Sequence, residues 1–160
     1  MTTPKRLMLG AAIVAALIAS ASATAAAPKT SHFSFRDSYV DTETCPGMNL
    51  DTRLDGNIVF QMISETRVQV HERLTYTVTA NGKAFTDNES FTNFTDLTTG
   101  VQTFAGTVVS IQVPGYGNVL ADTGLVIFDT NTDPWTVYHV AGHHPLFYDG
   151  YVALCAYLAN

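Results

Sequence analysis

The stretch RVQVHERLTYTVTA, Arg67 to Ala80, decides the fold. Its even positions are Val68, Val70, Glu72, Leu74, Tyr76 and Val78, and its odd positions are Arg67, Gln69, His71, Arg73, Thr75, Thr77 and Thr79. Successive side chains of a β-strand point to opposite faces, so this is a long strand with one apolar face and one solvated face. Asn81-Gly82 follows at once. Both residues tolerate the positive φ that a type I′ turn requires, which makes the pair the strongest short-range hairpin signal. The chain therefore returns antiparallel through Lys83 to Phe94, and Thr99-Gly100 marks the next turn.

Strand periodicity continues outward on both sides. From Val101 to Val113 the residues Val101, Thr103, Ala105, Thr107, Val109, Ile111 and Val113 fall on one side, and Pro114-Gly115-Tyr116-Gly117-Asn118 breaks the run. Val119 to Asp129 contains the β-branched run Leu125-Val126-Ile127-Phe128, Asn131-Thr132-Asp133-Pro134 turns the chain, and Trp135 to Ala141 is a further strand. Phe33 to Val40 and Asn57 to Ser64 precede them, separated by Cys45-Pro46-Gly47. At the end, Asp149 caps a helix from Gly150 to Leu158. Hairpin-linked neighbours form a meander. Several strands exceed ten residues, and long twisted strands tend to close on themselves, which removes both hazardous edges. The expected fold is all-β: an antiparallel meander closing into a barrel of about seven or eight strands, with a short C-terminal helix packed on its wall. The alternative is a two-sheet β-sandwich.

Charge and cysteine usage set the compartment. Lys5 and Arg6 precede an apolar run from Leu7 to Ile18, and small residues follow it. This is the order of a secretory signal peptide, and about a dozen apolar residues are too few to span a bilayer. Cleavage is expected between Ala23 and Ala25, giving a leader over 1–25 and a single domain over 26–160. The whole chain carries eight Lys and Arg against fourteen Asp and Glu, a net charge of −6. Removing the leader takes two cations and no acid, leaving −8. Such a surface disfavours nucleic-acid phosphates and anionic lipids. Cys45 and Cys155 both lie in the exported part, and in an oxidising compartment an even count reads as a disulfide. The loop closed is about 110 residues, for which chain entropy alone gives roughly 4–5 kcal/mol.

Glu72 is the most informative single residue. It interrupts the apolar face between Val70 and Leu74. A carboxylate buried without partners costs several kcal/mol, so it is expected to be paired, or protonated with a raised pKa. Inside a barrel it becomes an acid or acceptor in a pocket. The structural alternatives are a position that escapes to water, or a pair with an inward Arg. Tyr76, Phe128 and Trp135 supply apolar surface, and His139 alternates with Trp135 and Val137, which places it inward with them. The aromatics Phe60, Tyr76, Phe104, Tyr116, Phe128, Trp135 and Tyr138 equally serve to fill a small barrel. His139, His143 and His144 lie near Asp149, but no zinc spacing is present and the adjacent pair reads as a polar loop. No metal site, cofactor or catalytic residue is assigned. Ser64, Ser90 and Ser110 lack a Gly-x-Ser-x-Gly elbow, and Pro114-Gly115-Tyr116-Gly117 precedes a strand where a dinucleotide loop opens a helix.

Cys45-Pro46-Gly47, the Thr-rich hairpin around Asn81-Gly82, the run Asp122-Thr123-Gly124-Leu125-Val126-Ile127-Phe128-Asp129 and the ending Ala153-Leu154-Cys155-Ala156 together resemble a group of small exported proteins from high-GC Gram-positive bacteria. The likeness spans most of the exported chain. The group has no assigned activity, so the resemblance implies no site residues. At the fold level the pattern is similar to calycin-type barrels, including lipocalins, but the Gly-x-Trp signature of a lipocalin's first strand is absent. Fold analogy alone does not carry function. The leading expectation is a secreted, monomeric protein that binds a small apolar or amphipathic molecule through Glu72, Tyr76, Phe128, Trp135 and His139. It would have no nucleic-acid partner and no membrane anchor after leader cleavage. The alternatives are a cyclase- or isomerase-type enzyme using Glu72 as acid or base in the same cavity, and an interaction protein with a filled core.

Overall fold

The computed structural model describes residues 29–147 and 151–159. The expected leader over 1–25 and the Asp149 cap lie outside the described residues. Seven strands follow one another: β1 (Thr30–Asp41), β2 (Leu50–Ser64), β3 (Arg67–Ala80), β4 (Lys83–Asp96), β5 (Val101–Val113), β6 (Gly117–Asp129) and β7 (Thr136–His143). A 3-10 turn at Pro145–Phe147 leads to the helix α1 (Val152–Ala159). All seven strands form one sheet in the order β1-β2-β3-β4-β5-β6-β7, every neighbouring pair antiparallel. The all-β meander with a short C-terminal helix is thus present, and it is one sheet rather than two. Barrel closure goes further than the strand pairing: among the described residues β1 and β7 are the sheet's two edges and do not pair with each other.

The Arg67–Ala80 stretch forms β3 with the expected bounds and faces: Val68, Val70, Glu72, Leu74, Tyr76, Val78 and Ala80 are buried. Asn81 and Gly82 both have positive φ, 51° and 75°, as the tight turn demands. β5 departs from expectation. Gln102 and Phe104 are buried near its start, but Val109, Ile111 and Val113 are buried near its end. The register against β6 shifts between Thr107 and Val109. That irregularity changes which parity points inward, so no single face runs the length of the strand. β2 begins at Leu50, seven residues before the expected Asn57, with Leu50, Thr52 and Leu54 inward.

Three glycines stand in one line across the sheet. The register runs Phe33, Ile58, Glu72, Phe91, Gly106, Gly124, Gly142 across all seven strands. Gly106 and Gly124 have φ of 136° and 145°, values that side-chain-bearing residues rarely adopt. A Cβ on Gly124 would overlap the carbonyl oxygen of Ala141, and one on Gly106 would overlap that of Ser90. Side chains are therefore excluded at this level of β5 and β6, and glycines in strand interiors are where sheets can bend.

Helix α1 covers one end of the sheet rather than its wall. The turn between β3 and β4 holds its C-terminus: Asn81 Nδ2 donates to the Leu158 carbonyl at 3.1 Å and Lys83 Nζ to the Tyr157 carbonyl at 2.5 Å. The turn after β5 contributes Tyr116, edge-on to Tyr157 at 6.0 Å. Cys45, in the β1–β2 connection, is joined to Cys155 of α1 by a disulfide with Cα atoms 5.4 Å apart. Leu154 and Leu158 enter the main core with Leu50, Tyr76, Val78, Phe85 and Ile111. A second cluster, Ile58, Phe60, Val68 and Val70, lies toward the opposite end. A disulfide persists where thiols are not kept reduced, which fits an extracytoplasmic chain. Among the described residues no helix is long and apolar enough to cross a membrane.

Candidate functional site

Glu72 stands where the two clusters meet. Along β3 it is flanked by Val70 of one cluster and Leu74 of the other, and across the sheet it pairs with Ile58 and Phe91. Phe35 of β1 lies over Gly56, one inward position from Ile58, and packs against both clusters. Glu72 is 1% exposed. Its Oε1 is buried with no hydrogen-bond partner. Among the described residues no cation offsets the loss of water, and burial pushes the carboxyl up to about 7. Of the structural alternatives, escape to water and pairing with an inward Arg both fail. Arg67 and Arg73 lie on the other face of the same strand and are exposed.

Aromatic rings lead away from this carboxyl. Phe91, which pairs with Glu72, lies 5.4 Å from Phe104 between ring centroids; Phe104 lies 5.0 Å from Phe128, and Phe128 lies 5.6 Å from Trp135. The ladder crosses β4, β5 and β6 and ends just before β7, at the end of the sheet opposite α1. Trp135 is half-buried and the other three are buried. Tyr76 is also buried, one inward step past Leu74 from Glu72 and paired with Asp87. The structure therefore places Glu72, Tyr76, Phe128 and Trp135 on one face of the sheet. Of the other aromatics, Phe60 and Phe104 are buried, whereas Tyr116 and Tyr138 are exposed.

His139 does not join them. β7 carries one extra residue, Tyr138, between the pairs Phe128–Val137 and Ile127–His139. The bulge breaks the alternation from Trp135 and Val137, and His139 stands opposite Ile127 on the exposed outer side. His143 is exposed at the end of β7, but His144 is buried against Asp122, with Nδ1 2.7 Å from Oδ1. Its Nε2 lies 3.1 Å from the Ala141 carbonyl, and the Leu146 N–H donates to Asp122 Oδ2 at 3.2 Å. A carbonyl only accepts, so Nε2 is the donor in that contact. The three histidines thus separate, two outward and one inward, and the dyad fastens the segment after β7 to β6. Among the described residues no three His, Cys, Asp or Glu side chains converge as a metal site.

The inner face holds more polar groups than the single Glu72. Asp87 is buried and accepts from the Ser110 N–H at 2.8 Å. Asn93, Thr95 and Gln102 are buried together: Asn93 Nδ2 donates to Gln102 Oε1 at 3.2 Å, and Thr95 Oγ1 to Asn93 Oδ1 at 3.3 Å. The signal for the β4 members is in the sequence. Read with period two from Phe85, the strand gives Phe85, Asp87, Glu89, Phe91, Asn93 and Thr95 on one face. Gln102 and His144 carry no such signal, because a bulge and a chain reversal decide their direction. Compared with protein families, with characterised proteins and with solved structures, the chain matches none.

Proposed function

We propose that this is an exported binding protein that takes up a small amphipathic molecule on the inner face of its sheet. The apolar body lies along Phe91, Phe104, Phe128 and Trp135, and the polar end meets Glu72. The observation that carries this reading is the buried Glu72 Oε1 with no partner. Such a group costs free energy in the free protein, and a bound molecule that supplies a hydrogen bond recovers it. In this reading the sheet bends at its glycine line, wraps around this face and closes as a barrel with β1 against β7. α1 stoppers one end, and the end near Trp135 admits the ligand. The disulfide and the acidic chain suit a secreted monomer.

Trp135 is the only tryptophan in the sequence, so its fluorescence reports occupancy of the outer end of the ladder. In a screen of amphipathic small molecules, those that raise the melting temperature are expected also to shift or quench Trp135 emission. Phe128→Ala should weaken both effects. Stabilising ligands that leave the emission unmoved, or no stabilising ligand at all, would refute the site. Turnover of a bound molecule that vanishes in Glu72→Gln would favour the enzyme reading.

A further inference from the structure

The sheet sorts its charges by face. Directly paired residues of neighbouring strands share a face, so the register assigns each ionisable side chain to one side. Inward positions hold Glu72 and Tyr76 on β3, Asp87 and Glu89 on β4, and Asp122 on β6, with Asp37, Tyr39 and Asp41 on the edge strand β1. β2, β5 and β7 place no titratable side chain inward. Arg36, Arg53, Arg67 and Arg73 all fall on outward positions. Among the described residues three basic side chains stand near the inner side: Lys29, exposed just before β1 where its carbonyl accepts from the Met62 N–H, and His144 and Lys83, which are both engaged. His144 lies between Asp122 and the Ala141 carbonyl. Lys83 donates to the Tyr157 carbonyl, 4.7 Å above that ring's centroid, at the end covered by α1.

We infer that the molecule taken up on this face is a cationic amine: an aromatic or aliphatic body along the ring ladder, ending in an ammonium group that donates to Glu72 Oε1. This rests on the binding reading above and names its ligand class. Oε1 needs a donor, and a hydroxyl would supply one. An ammonium supplies the donor together with the positive charge that the Glu72 carboxylate lacks beside it. Charge-assisted hydrogen bonds are roughly twice as strong as neutral ones, so the site discriminates by charge as well as by shape. A carboxylate of the same skeleton meets the like charge of ionised Glu72. The half-buried Trp135 ring at the outer end of the ladder also attracts a cation.

Phenylbutylamine, phenylbutanol and phenylbutyrate share one skeleton and differ in the terminal group. Calorimetric titration of the oxidised full-length mature protein with each is expected to show the amine binding at least about tenfold tighter than the alcohol, and phenylbutyrate not binding. The ligand-free Glu72 carboxyl titrates near 7, so its ionised fraction rises about tenfold between about pH 6 and about pH 8. An alkylammonium stays charged over that range, so amine affinity should rise about tenfold with it. In Glu72→Gln the preference for amine over alcohol should disappear; the pH series on the unaltered protein gives the same answer without a variant. Alcohol binding as tightly as amine, affinity falling as pH rises, or phenylbutyrate binding would overturn the amine assignment and leave the binding site standing. No binding of any of the three, with Trp135 emission unmoved in the wider screen as well, would remove the site and the assignment together.

Discussion

A carboxyl whose Oε1 meets no donor raises the free energy of the folded chain whenever it is ionised. For Glu72, burial shifts the carboxyl from its ordinary 4.5 to about 7. Between those values the folded protein binds a proton that the unfolded chain has already released. Stability is therefore fully present below about pH 4.5, falls as pH rises toward about pH 7, and levels off above it. The size of the fall is on the order of 3 kcal/mol, from 1.36 kcal/mol per pKa unit. Glu72→Met, which fills similar space without charge, should remove this term. In urea titrations the variant is expected to gain on the parent by up to about 3 kcal/mol at about pH 8 and by little at about pH 4.5. A gain independent of pH would mean that Glu72 is not the titrating group. Arg36 and Arg53 offer the contrast. Their contacts to Asp55, 2.5 Å and 3.1 Å, lie on the exposed outer face and contribute little.

Within single strands, interruptions of the ladder carry as much information as the alternation. The extra residue at Tyr138 turns His139 outward, and the shift after Thr107 brings Val109, Ile111 and Val113 inward. The line of Gly106, Gly124 and Gly142 lets β5, β6 and β7 bend together. Gly124→Ala meets two costs at once: a φ of 145°, and a Cβ against the Ala141 carbonyl and 2.7 Å from His144 Nε2. The expected loss is more than about 2 kcal/mol, read as a lower urea midpoint with the slope unchanged. Gly82→Ala offers a milder comparison, because its φ is positive but nothing lies within reach of its Cβ. A Gly124→Ala protein as stable as the Gly82→Ala one would show that the sheet does not bend at this line. Element bounds follow the same logic. β3 is legible end to end because its inward positions are almost all apolar, whereas the first seven residues of β2 alternate outward Asp51, Arg53 and Asp55 with inward Leu50, Thr52, Leu54 and Gly56, and the Thr and Gly weaken the apolar signal.

At the scale of the whole molecule, shape is decided at the two edges, β1 and β7. Seven long, coiled strands with one end covered by α1 leave two edges, and unpaired edges invite association with other chains. If the edges meet, the outward-edge amides of both strands are protected. Hydrogen exchange should then slow them by on the order of a hundredfold relative to the turn at Glu65-Thr66. Exchange as fast as in that turn would leave an open, curled sheet with one inner face and no barrel. The covalent frame is independent of this outcome, since the Cys45–Cys155 bond ties the first connection to the last helix across 110 residues.

Local chemistry by itself determined the strand identities, the hairpin at Asn81-Gly82, the single possible disulfide and the inward position of Glu72. In each case neighbouring residues suffice: period-two alternation, a turn that needs positive φ, one pair of cysteines. Tertiary structure alone decided that His139 turns outward and His144 inward, that Gln102 joins Asn93 and Thr95, that α1 covers an end of the sheet, and that no cation among the described residues reaches Glu72. These depend on bulges and on which distant strands come into register, and a one-residue change of register moves a side chain to the opposite face.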